Sequence, residues 1–306
     1  MIVRPNVNWW RMLFVWNGSV LKSILPQLLF MLAVGLLALL THGRILGEKV
    51  PLDTAPFTLI GVSLAIFLAF RNNASYDRYW EARKLWGHLL IAARSLASQA
   101  ITFVPAGQDG LVRQRFMARL TALVYALKHQ LRRTDATADM ARLLSSADRA
   151  ALKGKRFLPV ALLHLLRGDA AGAEFRGGGA ASHVWLLDQQ LAELSTVIGG
   201  CERIANTPIP FSYGVLLHRT VYAYCLLLPF GLVDSIGAAT PLISVFVSYT
   251  LIALEAIAGE IADPFGLEPN NLALDAMART IECSLQELNG TTLVPEAAMQ
   301  RNYQLT

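Results

Sequence analysis

The stretch GVSLAIFLAFRNNASYDRYWEARKLWG, residues 61–87, decides how this 306-residue chain folds. It opens as an uncharged, largely apolar run and then fills with Arg, Asn, Asp, Tyr and Trp. Neither Gly nor Pro occurs from Val62 to Trp86, so a helix begun in the apolar part has no local reason to stop at Phe70. The pattern predicts one helix that starts in a bilayer and continues into water.

Composition agrees with a membrane setting. Hydrophobic residues make up 54% of the chain, charged residues only 16%, and the mean hydropathy is +0.42. Four apolar segments, about 23–40, 56–73, 213–233 and 240–259, approach the roughly 17 to 25 residues that a bilayer crossing needs. The net charge of +5 comes without a zinc-finger, helix-turn-helix or RNA-binding signature, so nucleic acid is not an expected partner. Instead the basic residues sort by position: 19 of the 27 Lys and Arg lie between Arg71 and Arg203. The positive-inside rule then places both termini and the middle of the chain in the cytoplasm.

Outward from these segments, residues 1–22 read as a cytoplasmic interfacial helix, with Arg4, Arg11 and Lys22 interleaved among Trp9, Trp10, Phe14 and Trp16. Residues 23–73 hold the first two membrane helices, 74–207 a helical cytoplasmic region, 208–259 the third and fourth membrane helices, and 260–306 a cytoplasmic segment expected to pack on the 74–207 region. Soluble helices are expected near 111–133, 137–153, 157–167, 182–204 and 271–289, with 167–182 as a connection. No compact apolar core with a small-residue cleavage site precedes residue 23, which argues against a cleaved signal peptide. Cys201, Cys225 and Cys283 lack metal-ligand spacing and read as packing thiols. The fold class is all-α: four transmembrane helices and a large helical cytoplasmic region.

On the second membrane helix, Val62, Ile66 and Phe70 share a slowly drifting face, and Gly61, Ala65 and Ala69 form a neighbouring face of small residues that admits a close helix. Copies of the helix around an axis would turn the bulky face into three apolar rings. In a fivefold ring, helices spaced by roughly 8 to 10 Å place their axes about 7 to 8 Å from the centre, leaving an opening a few ångströms in radius. A hole of that width gates by losing water. The alternative is that these side chains simply pack or meet lipid. Beyond them, Arg71, Asn72, Asn73, Asp77, Arg78 and Glu81 offer either a pore exit or a supporting salt-bridge network, with Arg78 and Glu81 spaced to pair. Glu255, at membrane depth, calls for a partner, and His218 or Arg219 would serve.

RNNASYDRYWEARKLWG, the four-segment layout, the long insertion, TPIPFSYG at 207–214 and ADPFG at 262–266 together resemble the bestrophin family of ion channels, over most of the chain. The resemblance, to bacterial members of the family, implies a bacterial inner-membrane protein and a homopentamer around a central pore, lined at its neck by the second membrane helix, with Val62, Ile66 and Phe70 at the three neck positions. It also implies a lower constriction near the start of the helix before IGGCERI, for which Trp185 is the best match. Eukaryotic relatives are chloride channels with phenylalanine-rich necks, whose positive ring edges favour anions. Only Phe70 is kept here, so permeation by monovalent cations such as sodium or potassium stands beside chloride. Those relatives also follow the Pro-Phe-Gly turn with an acidic run that helps to bind calcium. Here that place reads LEPNN, leaving a degenerate region of Glu260, Asp263, Glu268 and Asn271 and no expected cofactor or metal.

The rival reading is a secondary transporter coupled to an ion gradient, although no inverted repeat or pair of broken helices is visible. An enzyme is not expected, because HExxH, GxSxG, phosphate-binding Gly-Lys and CxxC motifs are all missing. The expected partners are further copies of this chain, membrane lipid and permeant monovalent ions.

Overall fold

One helix dominates. A computed structural model of the protein describes residues 1–2, 8–45, 48–49, 54–103, 110–172, 180–290 and 305. Within it, α3 (Thr54–Phe103) runs for 50 residues without interruption, about 75 Å at 1.5 Å per residue. A bilayer core takes only about 20 residues of such a helix. Among the described residues the chain is helical apart from a two-residue antiparallel ladder, β1 (Arg44–Ile45) with β2 (Glu48–Lys49).

Two packing units share the chain, and α3 contributes to both. The first comprises Arg4–Tyr79 and Pro208–Pro264. It holds α1 (Trp9–Met12), α2 (Leu21–Leu40), the first half of α3, α9 (Phe211–Ile236) and α10 (Thr240–Ala262), the last two joined by a 3-10 turn at Gly237–Ala239. The helices α2, α3 and the α9–α10 stretch are each long and apolar enough to cross a membrane. Their core is built from one stripe per helix: Ile24, Leu28 and Met31 of α2, Leu64 and Leu68 of α3, Leu217, Val221 and Cys225 of α9, and Ile252 and Ala253 of α10. In α2, α3 and α9 the spacing is four, with a step of three in α2, which is that of one helical face; α10 contributes the adjacent pair Ile252 and Ala253. Close approach of α2 to α10 depends on Gly35, where a Cβ would lie 3.0 Å from the Pro241 Cα. The helix α2 ends in a left-handed turn, with Gly43 at φ 73° donating its N–H back to the Ala38 carbonyl at 2.9 Å. The helix expected over residues 1–22 is confined to the four residues of α1; residues 3–7 lie outside the described ones.

The second unit comprises Met1–Val3, Trp80–Thr207 and Phe265–Thr306. Around α4 (Gly110–Arg132), buried over most of its C-terminal half, pack α5 (Thr137–Leu143), α7 (Leu158–Ala171), α8 (Ala180–Asn206) and α11 (Leu274–Leu288), while α6 (Ser146–Leu152) lies against α7. A single helix was expected over 137–153. The chain instead breaks at Leu144, and Ser145 caps α6 by accepting the Asp148 N–H at 3.1 Å and donating its hydroxyl to the Asp148 carboxylate at 2.9 Å. That reciprocal cap is written in the sequence as SSAD, residues 145–148.

Buried charges in this unit are paired. Arg119 donates to Asp169 at 2.6 and 2.7 Å and to Asp148, holding α4 to α6 and α7. Burial pushes the Asp148 carboxyl up, but the hydrogen bonds from Arg119 and Ser145 outweigh it and hold the group below the usual carboxylate range. Glu282 of α11, 3% exposed, accepts from the Tyr125 hydroxyl and from Arg142, each at 2.5 Å. Burial first, then the bond to Glu282, drives the Tyr125 hydroxyl well above its ordinary pKa.

Candidate pore-lining site

Burial selects the outward face of α3. Successive helical residues turn by about 100°, so Leu64 and Leu68 point roughly 200° away from Val62 and Ile66. Leu64 and Leu68 are 2% and 1% exposed in the core of their unit, whereas Val62, Ile66 and Phe70 are 54%, 50% and 62% exposed. The three expected neck residues therefore share one face that no other described residue of the chain covers. The small-residue stripe is divided within one chain. Gly61 meets Tyr224, with a would-be Cβ 2.8 Å from its hydroxyl, but Ala65 and Ala69 are exposed. Leu64 and Leu68 take the buried side, where they pack in one cluster with side chains of α2, α9 and α10.

Directly after Phe70, Arg71 turns inward. Its Nη1 donates to Glu255 Oε1 of α10 at 3.1 Å, and the two side chains are only 13% and 14% exposed. His218 of α9 places Nδ1 3.3 Å from both carboxylate oxygens, and its ring lies against Tyr222 with centroids 4.4 Å apart. Three helices thus meet at one carboxylate. His218 was an expected partner of Glu255; Arg219 is exposed instead, and Arg71 takes the place proposed for it.

The remaining expected residues divide by role. Asn72 donates its amide to the Leu68 carbonyl of its own helix at 3.0 Å, while Asn73 and Asp77 are exposed. Arg78 and Glu81, spaced to pair, have other partners: Arg78 Nε donates to the Ala262 carbonyl at the end of α10 at 3.1 Å, and Glu81 accepts from Arg203 of α8 at 2.5 Å. Trp185 is exposed on α8. In the degenerate calcium region, Glu260 and Asp263 belong to the first unit, and Glu268 and Asn271 to the second. Asn271 is buried and uses its side-chain oxygen to accept the Glu268 N–H at 2.7 Å, which closes the turn after the Pro-Phe-Gly sequence. Among the described residues no group of three or more His, Cys, Asp or Glu side chains gathers as a metal site would.

The family model described as Bacterial/Fungal Bestrophin protein matches residues 1–287. The chain belongs to that family. This bestrophin is 47% identical over 304 residues to the voltage-dependent anion channel-forming protein of Ralstonia nicotianae, with 99% of each chain covered. It is 42% identical over 310 residues to the protein of the same description from Escherichia coli K12, covering 100% of each. Among solved structures it resembles the crystal structure of a bacterial bestrophin homologue from Klebsiella pneumoniae, at 40% identity and a TM-score of 0.83, over 88% of this chain and 99% of that one.

Proposed function

We propose that the protein is an ion channel of the bacterial inner membrane, a homopentamer in which five copies of α3 surround one pore. The observation that carries this reading is the uncovered apolar face of Val62, Ile66 and Phe70 opposite the buried Leu64 and Leu68, in a member of the bestrophin family. An apolar face half open to the surroundings on a helix already packed on its other side fits a surface completed by further copies of the chain. The four spans are α2, the first part of α3, α9 and α10, with both termini cytoplasmic. Trp185, exposed on α8, is the best candidate for a lower constriction.

The permeant species are small monovalent ions. The names of the relatives from Ralstonia nicotianae and Escherichia coli favour anions. Cation permeation is kept as a second reading on one observation: Arg71, the cation that follows the neck, is turned away and neutralised by Glu255, and the exposed carboxylate of Asp77 lies beyond it. The apolar rings set a dehydration barrier for either sign.

Purified protein in planar bilayers under separate chloride and sodium gradients separates the two, since the reversal potential follows the permeant ion. Ile66→Ala removes bulk from the middle ring and is expected to raise conductance several-fold; replacing Phe70 is expected to change conductance or selectivity. Unchanged currents in both variants would remove the neck assignment, and flux that saturates and depends on a second gradient would favour the transporter.

A further inference from the structure

In the unit that contains α4 to α8 and α11, a cavity of about 550 Å³ opens among α4, α5, α6 and the start of α7. Arg133, Arg149, Lys153 and Arg156 line it, along with His129 and a single carboxylate, Asp135. Asp135 is committed locally, accepting the Thr137 N–H at 3.0 Å and its hydroxyl at 2.6 Å. His129 uses both ring nitrogens, on Thr134 at 2.7 Å and on Asp139 at 2.8 Å. The four Lys and Arg side chains have no carboxylate partner among the described residues. Arg156 only lies over the Phe157 ring, 5.5 Å from its centre.

Several other cations of the same unit are held by carboxylates. Arg119 is shared by Asp148 and Asp169, Lys128 by Asp139 and Asp275, Arg132 is paired with Asp275, and Arg142 with Glu282. The cavity, by comparison, gathers four cations of like charge around the one carboxylate of Asp135. Two backbone features lie on the same wall. Arg133 has φ 55°, a left-handed conformation that is strained for any residue with a Cβ, yet the position carries a long cation and not Gly or Asn. The helix α7 begins at Leu158, on the cavity wall, with no side-chain cap, so its positive end adds to the field.

We propose that this cavity binds a small polyvalent phosphate compound. The ligand must carry at least two negative charges, since a monovalent ion leaves most of the four cations uncompensated. Three of the four are guanidinium groups, whose planar forks match the paired oxygens of a phosphoryl group. The volume falls in the range of roughly 300 to 1,000 Å³ usual for small-molecule sites. Ala126, Met140 and Leu152 give one wall an apolar character suited to the carbon part of an organic phosphate.

The test is calorimetric titration of the full-length, detergent-purified protein with inorganic pyrophosphate at fixed ionic strength, with sulfate and citrate as comparison anions. Pyrophosphate is expected to bind saturably with a submillimolar Kd, at least ten-fold tighter than citrate. The Arg149→Gln/Lys153→Gln variant is expected to weaken that binding ten-fold or more. Both positions are exposed, so the core is untouched. Should that variant fail to elute as the parent does, Arg133→Gly removes one cation while relieving the left-handed strain, and is expected to weaken binding several-fold. Absence of saturable pyrophosphate binding, equal affinity for citrate, or parent-like affinity in folded variants would each overturn the proposal.

Discussion

Breaking the contact between Arg71 and Glu255 tests the packing of the first unit and the origin of the outward face of α3 together. The pair lies 3.1 Å apart with about one-eighth of each side chain exposed, so removing one partner strands a largely buried charge. Such losses cost about 3 to 5 kcal/mol. Glu255→Leu is expected at the lower end, about 3 kcal/mol, because Arg71 keeps some solvent contact. Arg71→Met costs less, about 2 kcal/mol, since His218 remains 3.3 Å from the carboxylate to hold it. The double variant places two apolar side chains together and should cost about 1 kcal/mol or nothing. Thermal unfolding of the purified protein reads this directly: at roughly 2 to 4 °C per kcal/mol, Glu255→Leu should lower Tm by about 6 °C or more, and the double variant should recover most of that. Strict additivity of the two single effects would refute the structure's account of why Arg71 turns inward.

Three further expectations follow from the packing and the titrating groups. Gly35→Leu forces a side chain against Pro241, whose Cα lies 3.0 Å from the added Cβ; overpacking of this kind costs about 1 to 3 kcal/mol, and a Tm equal to the parent's would contradict the close α2–α10 approach. Burial raises the Asp139, Asp148 and Asp275 carboxyls, but hydrogen bonds from His129, Arg119 and Lys128 respectively, with nearby positive charge, leave all three below their ordinary values. Their stabilisation is complete above the unfolded carboxyl pKa of about 4 and is lost as pH falls through the lower folded values, so Tm should hold from pH 7 to about 5 and drop below about 4. The Cys201 thiol is pushed up to about 12 by burial first and by Glu202 and Glu81 after it, so a hydrophilic maleimide should leave it unlabelled in the folded protein and label it once unfolded.

How much of this was legible in the sequence depends on the range of the interaction responsible. The continuity of α3 was, because it follows from the absence of Gly and Pro between Val62 and Trp86, a purely local property. So were the ends of the apolar helices, where hydropathy and helix length set the same limits. The break between α5 and α6 was readable in SSAD but is easily passed over, because the apolar spacing on either side continues in helical register. Which face of α3 packs within the chain was only half legible. Val62 and Leu64 are equally apolar, and only the shape offered by α2, α9 and α10 chooses between them. Arg71 as the partner of Glu255 was not legible at all. The two are 184 residues apart, and their meeting depends on the rotation of two packed helices. The signal available was a single Arg at membrane depth with no carboxylate on its own face.

The bond between Tyr125 and Glu282 spans 157 residues of chain, and α9 and α10 lie between the two ends. During synthesis at about 5 to 20 residues per second, Tyr125 leaves the ribosome roughly 8 to 30 s before the carboxylate that it meets in the finished fold. Throughout that interval α4 must wait in the cell with the surface destined for α11 uncovered, while the later apolar helices are delivered to the translocation machinery. Biogenesis of this protein therefore includes a stage in which a nascent domain lacks its closing helix, and a stall in membrane insertion prolongs the exposure of that surface to chaperones and proteases.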